Sequence, residues 1–395
     1  MMGATHYWGR RFLRLFNQRV KIYGEMVPAR ALLFMQNEQK KKMHLRTDAI
    51  DQGGATASIL PMAGAGTYGA AVLKAGVPTD EVPATERAMG NDGHVHRPFC
   101  GAPFQLGASE VEEALRAAEM VVAAGFGEIN LNCGCPSKSV AAGDFGAVLM
   151  KNPAQVAAMA RALTQHFPDT HFSIKCRIGV DDQSDDDFLN NFVATIIDRA
   201  PAITTFHIHA RKALLKGLNP RQNRHLPPLD YGRVYRLKEQ FPQLEVVING
   251  GIMSLAEIGQ QLTRCDGVML GRAPIADPFL LARLESFPAM AGTNEAGTTA
   301  MAQTGALLTS DRAGMGLTGG MTTVPQSWRD VILTDFLAEF DDGDAPASCM
   351  LPFLIGLIRD EPGARARRGR LQAMVSGPAG RRKKPSLAVA FAAIA

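Results

Sequence analysis

Two kinds of segment alternate along the chain and differ in the spacing of their apolar residues. Seven short runs are apolar and rich in Val, Ile, Leu and Phe, which is typical of buried strands. Between them, apolar residues recur at intervals of three and four, which predicts helices with one buried face. The predicted strands are Lys21–Val27, Phe104–Gly107, Glu128–Asn132, His171–Arg177, Thr205–His209, Glu245–Ile248 and Gly267–Leu270. The main predicted helices are Glu110–Ala124, Pro153–His166, Phe188–Ala200, Asp230–Phe241 and Leu255–Leu262.

The regular succession of strand and helix predicts a parallel sheet, and eight such units close a (β/α)₈ TIM barrel. Seven units are visible, and no strand precedes the first predicted helix. We therefore expect a barrel whose first strand is missing from the chain. Trp8, Phe12, Leu15 and Phe16 fall on one helical stripe and predict that first helix. The N-terminal stretch that contains this helix is basic and also resembles an organelle transit peptide. We therefore expect a cytoplasmic protein, with an organelle as the alternative location.

The pattern divides the chain into four parts. Residues 1–287 form the predicted barrel, and residues 38–98 are a Gly- and Ala-rich inserted loop within it. Residues 288–325 have no clear period and are predicted to be a flexible linker. Residues 326–376 are predicted to form a small helical domain, with helices at Gln326–Phe340 and Met350–Ile358. Residues 377–395 form a basic and apolar tail.

Composition narrows the class of protein. Hydrophobic residues make up 46% of the chain and charged residues 20%, which excludes a disordered protein. Six cysteines are too few for a disulfide scaffold, and we predict no metal site. No run of 18 apolar residues is present, so we expect no membrane helix. Net charge is only +4, yet eight Lys and Arg residues lie between Arg365 and Lys384 without an acid. This cluster indicates either a polyanionic partner or a solvated tail.

Candidate chemistry lies where the predicted strands end, because the active site of such a barrel lies at the carboxyl ends of its strands. Asn249-Gly250-Gly251 and Gly271-Arg272 follow the last two strands. Small residues let backbone amides approach a phosphate, and the arginine adds charge, so we predict a phosphate site there. The alternative is that these glycines only form tight turns.

Two further side chains are predicted to lie beside that phosphate, and a third in the mouth of the barrel. Lys175 and His209 point inward, and a lysine there can stabilise a reduced flavin; the alternative is an ion pair of Lys175 with Asp181. Cys135 follows a strand and can donate a proton or act as a nucleophile. Its alternative is a small buried hydrophobic residue.

Several strand-end motifs together resemble the tRNA-dihydrouridine synthase family. The motifs are Ile129-Asn-Leu-Asn-Cys-Gly-Cys-Pro-Ser137, Ile174-Lys-Cys-Arg-Ile-Gly179, Ile208-His-Ala-Arg-Lys-Ala213 and Ile248-Asn-Gly-Gly251. The stretches Gly217–Arg224 and Pro227–Tyr231 resemble the A subgroup, which modifies positions 20 and 20a of the tRNA D-loop. The resemblance implies a flavin-binding barrel with a C-terminal helical tRNA-binding domain. It also implies FMN-dependent, NADPH-driven reduction of the uracil C5–C6 double bond.

The resemblance assigns roles to individual residues. Cys135 stands at the family's catalytic position, where it would protonate C5. The implied FMN positions are Met1, Met2, Gln105, Lys175, His209, Asn249, Gly250, Gly251, Gly271 and Arg272. The implied tRNA contacts are Asn132, Arg221, Asn223 and Arg224, and we add Arg365, Arg367 and Arg368 from the basic cluster.

Two other functions remain open at this point. A flavin-dependent barrel reductase acting on a small molecule would not need the basic cluster. A barrel that binds RNA without turnover would need no flavin. In each case we expect a monomer that does not bind membranes.

Overall fold

The computed structural model of the chain describes residues 5–17, 20–35, 70–74, 102–137, 140, 143–183, 185–284, 347–359 and 363–375. Several predicted features lie outside these residues. They are Met1, Met2, most of the inserted loop 38–98, the linker 288–325, the helix Gln326–Phe340 and the tail 377–395.

Nine strands form one sheet in the order β1-β3-β9-β8-β7-β6-β5-β4-β2. Seven of them, from β2 to β9 without β3, are parallel to their neighbours. Only Gly24 and Glu25 separate β1 from β2, so the two ends of this order meet and the sheet closes. This closed sheet, with seven strands that run parallel to one another, confirms the predicted TIM barrel. The strands are β1 Lys21–Tyr23, β2 Met26–Pro28, β3 Ala70–Lys74, β4 Phe104–Gly107, β5 Glu128–Asn132, β6 His171–Arg177, β7 Thr205–His209, β8 Glu245–Asn249 and β9 Gly267–Leu270.

Strand β3 fills the place where the sequence predicted a missing strand. It pairs antiparallel with β9, from Ala71 opposite Leu270 to Lys74 opposite Gly267, and antiparallel with β1 on its other side. It comes from the stretch predicted to be only an inserted loop. Edge strands with unpaired backbone groups are avoided in barrels, and β3 removes two such edges at once.

Helices cover the outer face of the sheet, and polar caps begin several of them. Asn152, Asp185 and Asp230 each accept a backbone hydrogen bond from the first turn of the following helix, and Ser254 with Glu257 forms a capping box. The helices are α1 Tyr7–Arg14, α2 Ala29–Leu33, α3 Val111–Ala123, α4 Pro153–His166, α5 Asp186–Arg199, α6 Tyr231–Gln240, α7 Leu255–Leu262, α8 Ala273–Ala276, α9 Phe279–Leu284, α10 Ala347–Leu357 and α11 Ala364–Val375. Short 3₁₀ turns occur at Gly146–Lys151 and Gln222–Arg224.

The inside of the barrel is more polar than its outside. Outward-facing strand residues such as Ile129, Ile174 and Ile208 join the main apolar core with the helices. Among the described inward residues, Tyr23, Val247 and Met269 form a small separate apolar cluster. Many inward positions of β4 to β7 carry polar side chains that form hydrogen bonds, as burial of polar groups requires. This polar interior positions the site described below.

A network of charged and polar groups joins the strands at the amino end of the barrel. Glu128 accepts hydrogen bonds from Tyr23 Oη at 2.6 Å and from Lys21 Nζ at 2.5 Å. Tyr23 Oη is also 2.9 Å from His207 Nε2. Burial, with smaller effects from nearby cations, lowers the pKa of His207 to about 3, so this histidine is neutral. The network links β1, β5 and β7 beneath the site.

Helices α10 and α11 pack on the barrel rather than standing apart from it. Phe353 is fully buried against the ring of Phe12, with 5.2 Å between their centroids. A Cβ on Gly356 would lie 2.2 Å from the carbonyl oxygen of Ile275, so only glycine fits where α10 crosses α8. The predicted helix at Met350–Ile358 is thus confirmed, beginning three residues earlier. Among the residues described, no helix has the length and apolar character that a membrane crossing requires.

Candidate active site

The two glycine-containing turns predicted to hold a phosphate lie side by side after β8 and β9. Together they line a cleft of about 410 Å³ that is open to solvent. The lining includes six of the predicted cofactor residues, together with Arg224, which was predicted to contact RNA. The predicted residues in this cleft are His209, Asn249, Gly250, Gly251, Gly271 and Arg272. The structure therefore brings these six residues together, and their role in binding a cofactor stays a prediction.

Two glycines are required by the shape of the first turn. Gly250 has φ +123° and Gly251 has φ +74°, values that other residues rarely adopt. A Cβ on Gly250 would lie 2.7 Å from Cδ2 of His209, and one on Gly251 would lie 2.6 Å from Cδ1 of Leu229. Tyr231 donates a hydrogen bond from its hydroxyl to the carbonyl of Gly250 at 2.5 Å. These glycines do form a tight turn, and they also keep the cleft free of side chains.

The second turn supplies positive charge without a neutralising acid. Arg272 Nη1 lies 2.6 Å from Nε2 of His225, a residue that sequence reasoning missed. Arg272 chiefly, with burial and other arginines, lowers the pKa of His225, so the ring stays neutral and can accept from the guanidinium. In the part of the chain that is described, neither Arg272 nor Arg211 forms a salt bridge with a carboxylate. Such a group of unneutralised cations favours an anionic ligand.

Lys175 points into the barrel toward the first turn. Its Nζ donates to Oδ1 of Asn249 at 3.1 Å, and Asn249 donates in turn to the carbonyl of Met269 at 2.7 Å. Burial and the nearby charge of Arg177 lower the pKa of Lys175 to about 8. The alternative ion pair with Asp181 does not form, because Asp181 pairs with Lys151 at 2.8 Å.

A chain of amide side chains crosses three neighbouring strands next to Lys175. Asn132 Nδ2 donates to Oε1 of Gln105 at 3.0 Å, and Gln105 Nε2 donates to Oδ1 of Asn130 at 2.8 Å. Asn130 Nδ2 then donates to Oγ of Ser173 at 2.9 Å. Gln105 and Asn132 were both predicted site residues, one for flavin and one for tRNA. We call these four side chains the amide ladder.

Asn132 also shapes the loop that carries Cys135. Its Oδ1 accepts hydrogen bonds from the backbone amides of Gly134 at 3.2 Å and Cys135 at 3.0 Å. The carbonyl of Cys135 accepts from the amide of Ala147 at 2.9 Å. Cys135 is therefore fixed on both sides, yet its side chain is only partly buried.

Cys133 differs from Cys135 in exposure although it lies only two residues away. It is 1% exposed, and burial with a smaller effect of Cys176 raises the pKa of its thiol strongly. Cys133 is therefore an inert buried cysteine. Cys135 is the one of the two whose side chain is partly exposed to solvent. No group of three or more His, Cys, Asp or Glu side chains within the described ranges could hold a metal ion.

The loop after β7 contains the remaining predicted RNA-binding residues of the barrel. Arg221 is exposed and Arg224 is partly buried at the edge of the cleft. Asn223 is fully buried, and its side chain binds both the amide and the carbonyl of Leu214 at 2.7 and 2.8 Å. In this arrangement Asn223 shapes the loop, so any effect on RNA would pass through its neighbours.

The three C-terminal arginines predicted to contact tRNA, Arg365, Arg367 and Arg368, lie on helix α11. Arg365 and Arg368 are exposed and Arg367 is partly buried, so this helix presents positive charge to solvent. Gly363, with a φ of +76°, directly precedes α11. Met1 and Met2, the other predicted flavin contacts, lie outside the described residues.

Arg177 makes several contacts in the site, although the sequence analysis assigned no role to it. It lies at the carboxyl end of β6 and is 3% exposed. Its position two residues after Lys175, on the same face of the strand, was a signal for an inward side chain. His225 offered no such signal, because it lies in an irregular loop.

Comparison with known proteins identifies relatives of the chain. The sequence profile described as "Dihydrouridine synthase (Dus)" matches residues 95–304, just over half of the chain. A tRNA-dihydrouridine(20/20a) synthase of Shewanella oneidensis is 45% identical over 182 residues, covering 46% of this chain and 53% of its own. The synthase of the same name from Haemophilus ducreyi is 48% identical over 182 residues, covering 46% and 55%.

A longer alignment is found with the tRNA-dihydrouridine(20/20a) synthase of Xanthomonas campestris, which is 44% identical over 203 residues, covering 51% of this chain and 58% of its own. The chain thus spans about half the length of the curated relatives it matches. A solved structure of morphinone reductase in complex with tetrahydroNAD aligns over 52% of this chain and 57% of its own, with 16% identity and a TM-score of 0.32. The family profile covers β4 to β9, the cleft and the Cys135 loop together. The chain therefore belongs to the dihydrouridine synthase family.

Proposed function

We propose that this protein is an FMN-dependent tRNA-dihydrouridine synthase that uses NADPH to reduce the C5–C6 double bond of uracil in the D-loop. Positions 20 and 20a are the proposed targets, because the relatives named above carry these positions in their names. One observation carries the proposal. A partly exposed cysteine, fixed by Asn132, lies at the same end of the barrel as a cationic cleft and an inward-pointing lysine.

The residues of the cleft fit a flavin phosphate. The glycines of the two turns leave backbone amides accessible. Arg272 adds a positive charge that no carboxylate among the described residues neutralises. His209, Lys175 and Gln105 lie inward of that phosphate position, where they can contact the ring system. FMN, when bound, would supply the hydride that adds to C6 of uracil.

Cys135 would supply the proton that C5 requires. A general acid must be held in place and must reach the substrate, and Cys135 meets both conditions through its backbone hydrogen bonds and partial exposure. Asn132 has a double role here, because it belongs to the amide ladder and also holds the Cys135 loop. Its position explains how one residue can link the cofactor side of the site to the substrate side.

A uracil in a folded tRNA must leave its base stack to reach the inside of the barrel. The protein must then hold the surrounding phosphates. Arg224 lines the cleft, Arg221 is exposed in the same loop, and Arg365, Arg367 and Arg368 lie on α11. Contacts with RNA phosphates of this kind make binding strongly dependent on salt.

The proposal is tested by measuring dihydrouridine in tRNA by mass spectrometry. We expect purified protein with NADPH to form dihydrouridine in unmodified tRNA, and Cys135→Ala to reduce the rate by roughly 100-fold while retaining flavin and tRNA. Cys133→Ala is the matched control and should have a much smaller effect. Equal rates for the wild type and Cys135→Ala would contradict the role of Cys135.

The same experiment separates the two alternatives. A reductase of small molecules would oxidise NADPH with a free enone or pyrimidine and leave tRNA unchanged. A protein that binds RNA without turnover would be purified without flavin absorbance and would oxidise no NADPH.

A further inference from the structure

Arg177 connects two loops that carry different parts of the site. Its Nε donates to the carbonyl of Gly134 at 2.9 Å, next to Cys135. Its Nη1 donates to the carbonyls of Lys212 at 3.1 Å and Asn223 at 3.0 Å, both in the loop after β7. One buried guanidinium thus fixes the Cys135 loop relative to the loop that carries Arg221 and Arg224.

The surroundings of Arg177 contain little negative charge. It forms no salt bridge with any carboxylate in the described ranges. The titratable groups that face it are Lys175 on its own strand, His209 on β7, Arg211 and Arg224 in the loop after β7, and the thiol of Cys135. Burial lowers the pKa of Arg177 to about 10, whereas Cys135 acts to raise it. Of these groups, only Cys135 can become an anion.

We propose that Arg177 is a positioning residue that locks the Cys135 loop to the loop after β7 and provides the positive charge that faces the Cys135 thiolate. The charge matters in the reaction proposed above, on which this inference rests. When the S–H bond of Cys135 breaks and the C5–H bond forms, a thiolate remains until solvent returns a proton. A fixed guanidinium stabilises that thiolate at the moment it forms.

The two parts of this role can be separated by substitution. Arg177→Met removes both the charge and the hydrogen bonds. Arg177→Lys keeps a charge but cannot reach three carbonyls at once, because an ammonium lacks the planar fork of a guanidinium. Arg10→Met is the matched control, since Arg10 is also a buried arginine that binds a backbone carbonyl, that of Thr5 at 2.9 Å, but it lies on α1.

Two measurements on the purified flavoprotein test the proposal without tRNA or turnover. The first is the rate of Cys135 alkylation by iodoacetamide against pH, with the modified peptide located by mass spectrometry. Thiolate is the reactive form, so the midpoint reports the acidity of the thiol. The second is hydrogen exchange in the peptides that contain residues 133–137 and 211–224.

We expect Arg177→Met to raise the alkylation midpoint, as for the loss of a nearby opposite charge. Arg177→Lys should keep most of the wild-type midpoint, yet both loops should exchange about fivefold faster, as for one lost hydrogen bond. Arg10→Met should change neither. The charge role is overturned if the midpoint is unchanged in Arg177→Met or moves equally in Arg10→Met.

The Arg177→Lys variant also protects the test against a folding failure of Arg177→Met. If its two loops exchange at the wild-type rate, the locking role is overturned. These results are independent of dihydrouridine formation. A chain with the expected alkylation and exchange but no dihydrouridine would contradict the proposed function and leave the role of Arg177 in place.

Discussion

Replacing Gly250 by alanine should disrupt the phosphate turn and lower the stability of the barrel. Gly250 has φ +123°, and its new Cβ would lie 2.7 Å from Cδ2 of His209 and 3.1 Å from Cδ2 of Leu229. Carbon atoms in ordinary contact are about 3.5–4.0 Å apart, so His209 would have to move by about 0.8 Å or more. His209 lies in the cleft itself, so this movement would also disturb the flavin position.

The expected cost has two parts. A residue with a Cβ in this backbone region costs roughly 1–3 kcal/mol. Forcing a methyl group into a packed site adds about 1–3 kcal/mol. We therefore expect Gly250→Ala to lower the free energy of unfolding by about 2–6 kcal/mol, which is a large fraction of the stability of a typical domain.

Gly217→Ala is the matched control for this prediction. Gly217 also has a positive φ, +81°, but a Cβ there would meet no atom within 4 Å. It should therefore show only backbone strain, about 1–2 kcal/mol. Urea unfolding followed by circular dichroism gives the stability of each variant, and visible absorbance gives its flavin content. If Gly250→Ala costs within about 1 kcal/mol of Gly217→Ala and retains its flavin, contact with His209 is not what requires the glycine.

Three further predictions concern the cofactor site and the barrel. Arg272→Ala should weaken FMN binding by about 1.5–3 kcal/mol in a fluorescence titration, and unchanged affinity would place the phosphate elsewhere. The pKa of Lys175 is lowered to about 8, so its amine is charged below that pH, and FMN affinity should fall as pH rises through about 8. Lys175→Met should remove this step in the pH profile. Deleting residues 52–91 removes β3 and should lower the melting temperature by about 5 °C or more, whereas a mere surface loop would cost little.

The positions of the parallel strands could be predicted from the sequence because each of them is a short apolar run. Predicted and observed bounds agree within one residue for the six strands from β4 to β9. The predicted strand Lys21–Val27 is divided instead, because the amide of Gly24 binds the carbonyl of Pro103 and its two halves pair with different neighbours. Such a division depends on tertiary contacts that a local pattern does not contain.

Strand β3 could not be predicted for a related reason. Its five residues, Ala70–Lys74, are an apolar run too short to stand out within a long Gly- and Ala-rich stretch. What makes them a strand is the pair of open edges on β1 and β9, which are far away in sequence. The place of the missing first strand beside β9 is thus taken by β3, an antiparallel strand that the sequence analysis did not predict.

The candidate site was predictable where it follows strand ends and unpredictable where it lies in irregular loops. Cys135 and Arg272 follow strands and Lys175 lies two residues before the end of β6, which is why the sequence marked them as candidates. The burial of Asn223 was not foreseen, since its partners, Leu214 and Arg177, are fixed only by the folded loop. His225 was missed because nothing in its local sequence separates it from an ordinary surface histidine.

The amide ladder has a consequence for how the barrel selects one alignment of its strands. Apolar side chains fill space equally well after a strand slides by two residues, because the same face stays inward. Hydrogen-bond donors and acceptors depend on direction, so they do not stay paired after such a slide. A two-residue slide of β4 against β5 would move Gln105 opposite Asn132 or Glu128, where it could no longer bind Asn130 and Asn132 together, and at least one buried amide would lose its partner. The polar interior therefore encodes the alignment of the strands, and the geometry of catalysis and the uniqueness of the fold depend on the same side chains.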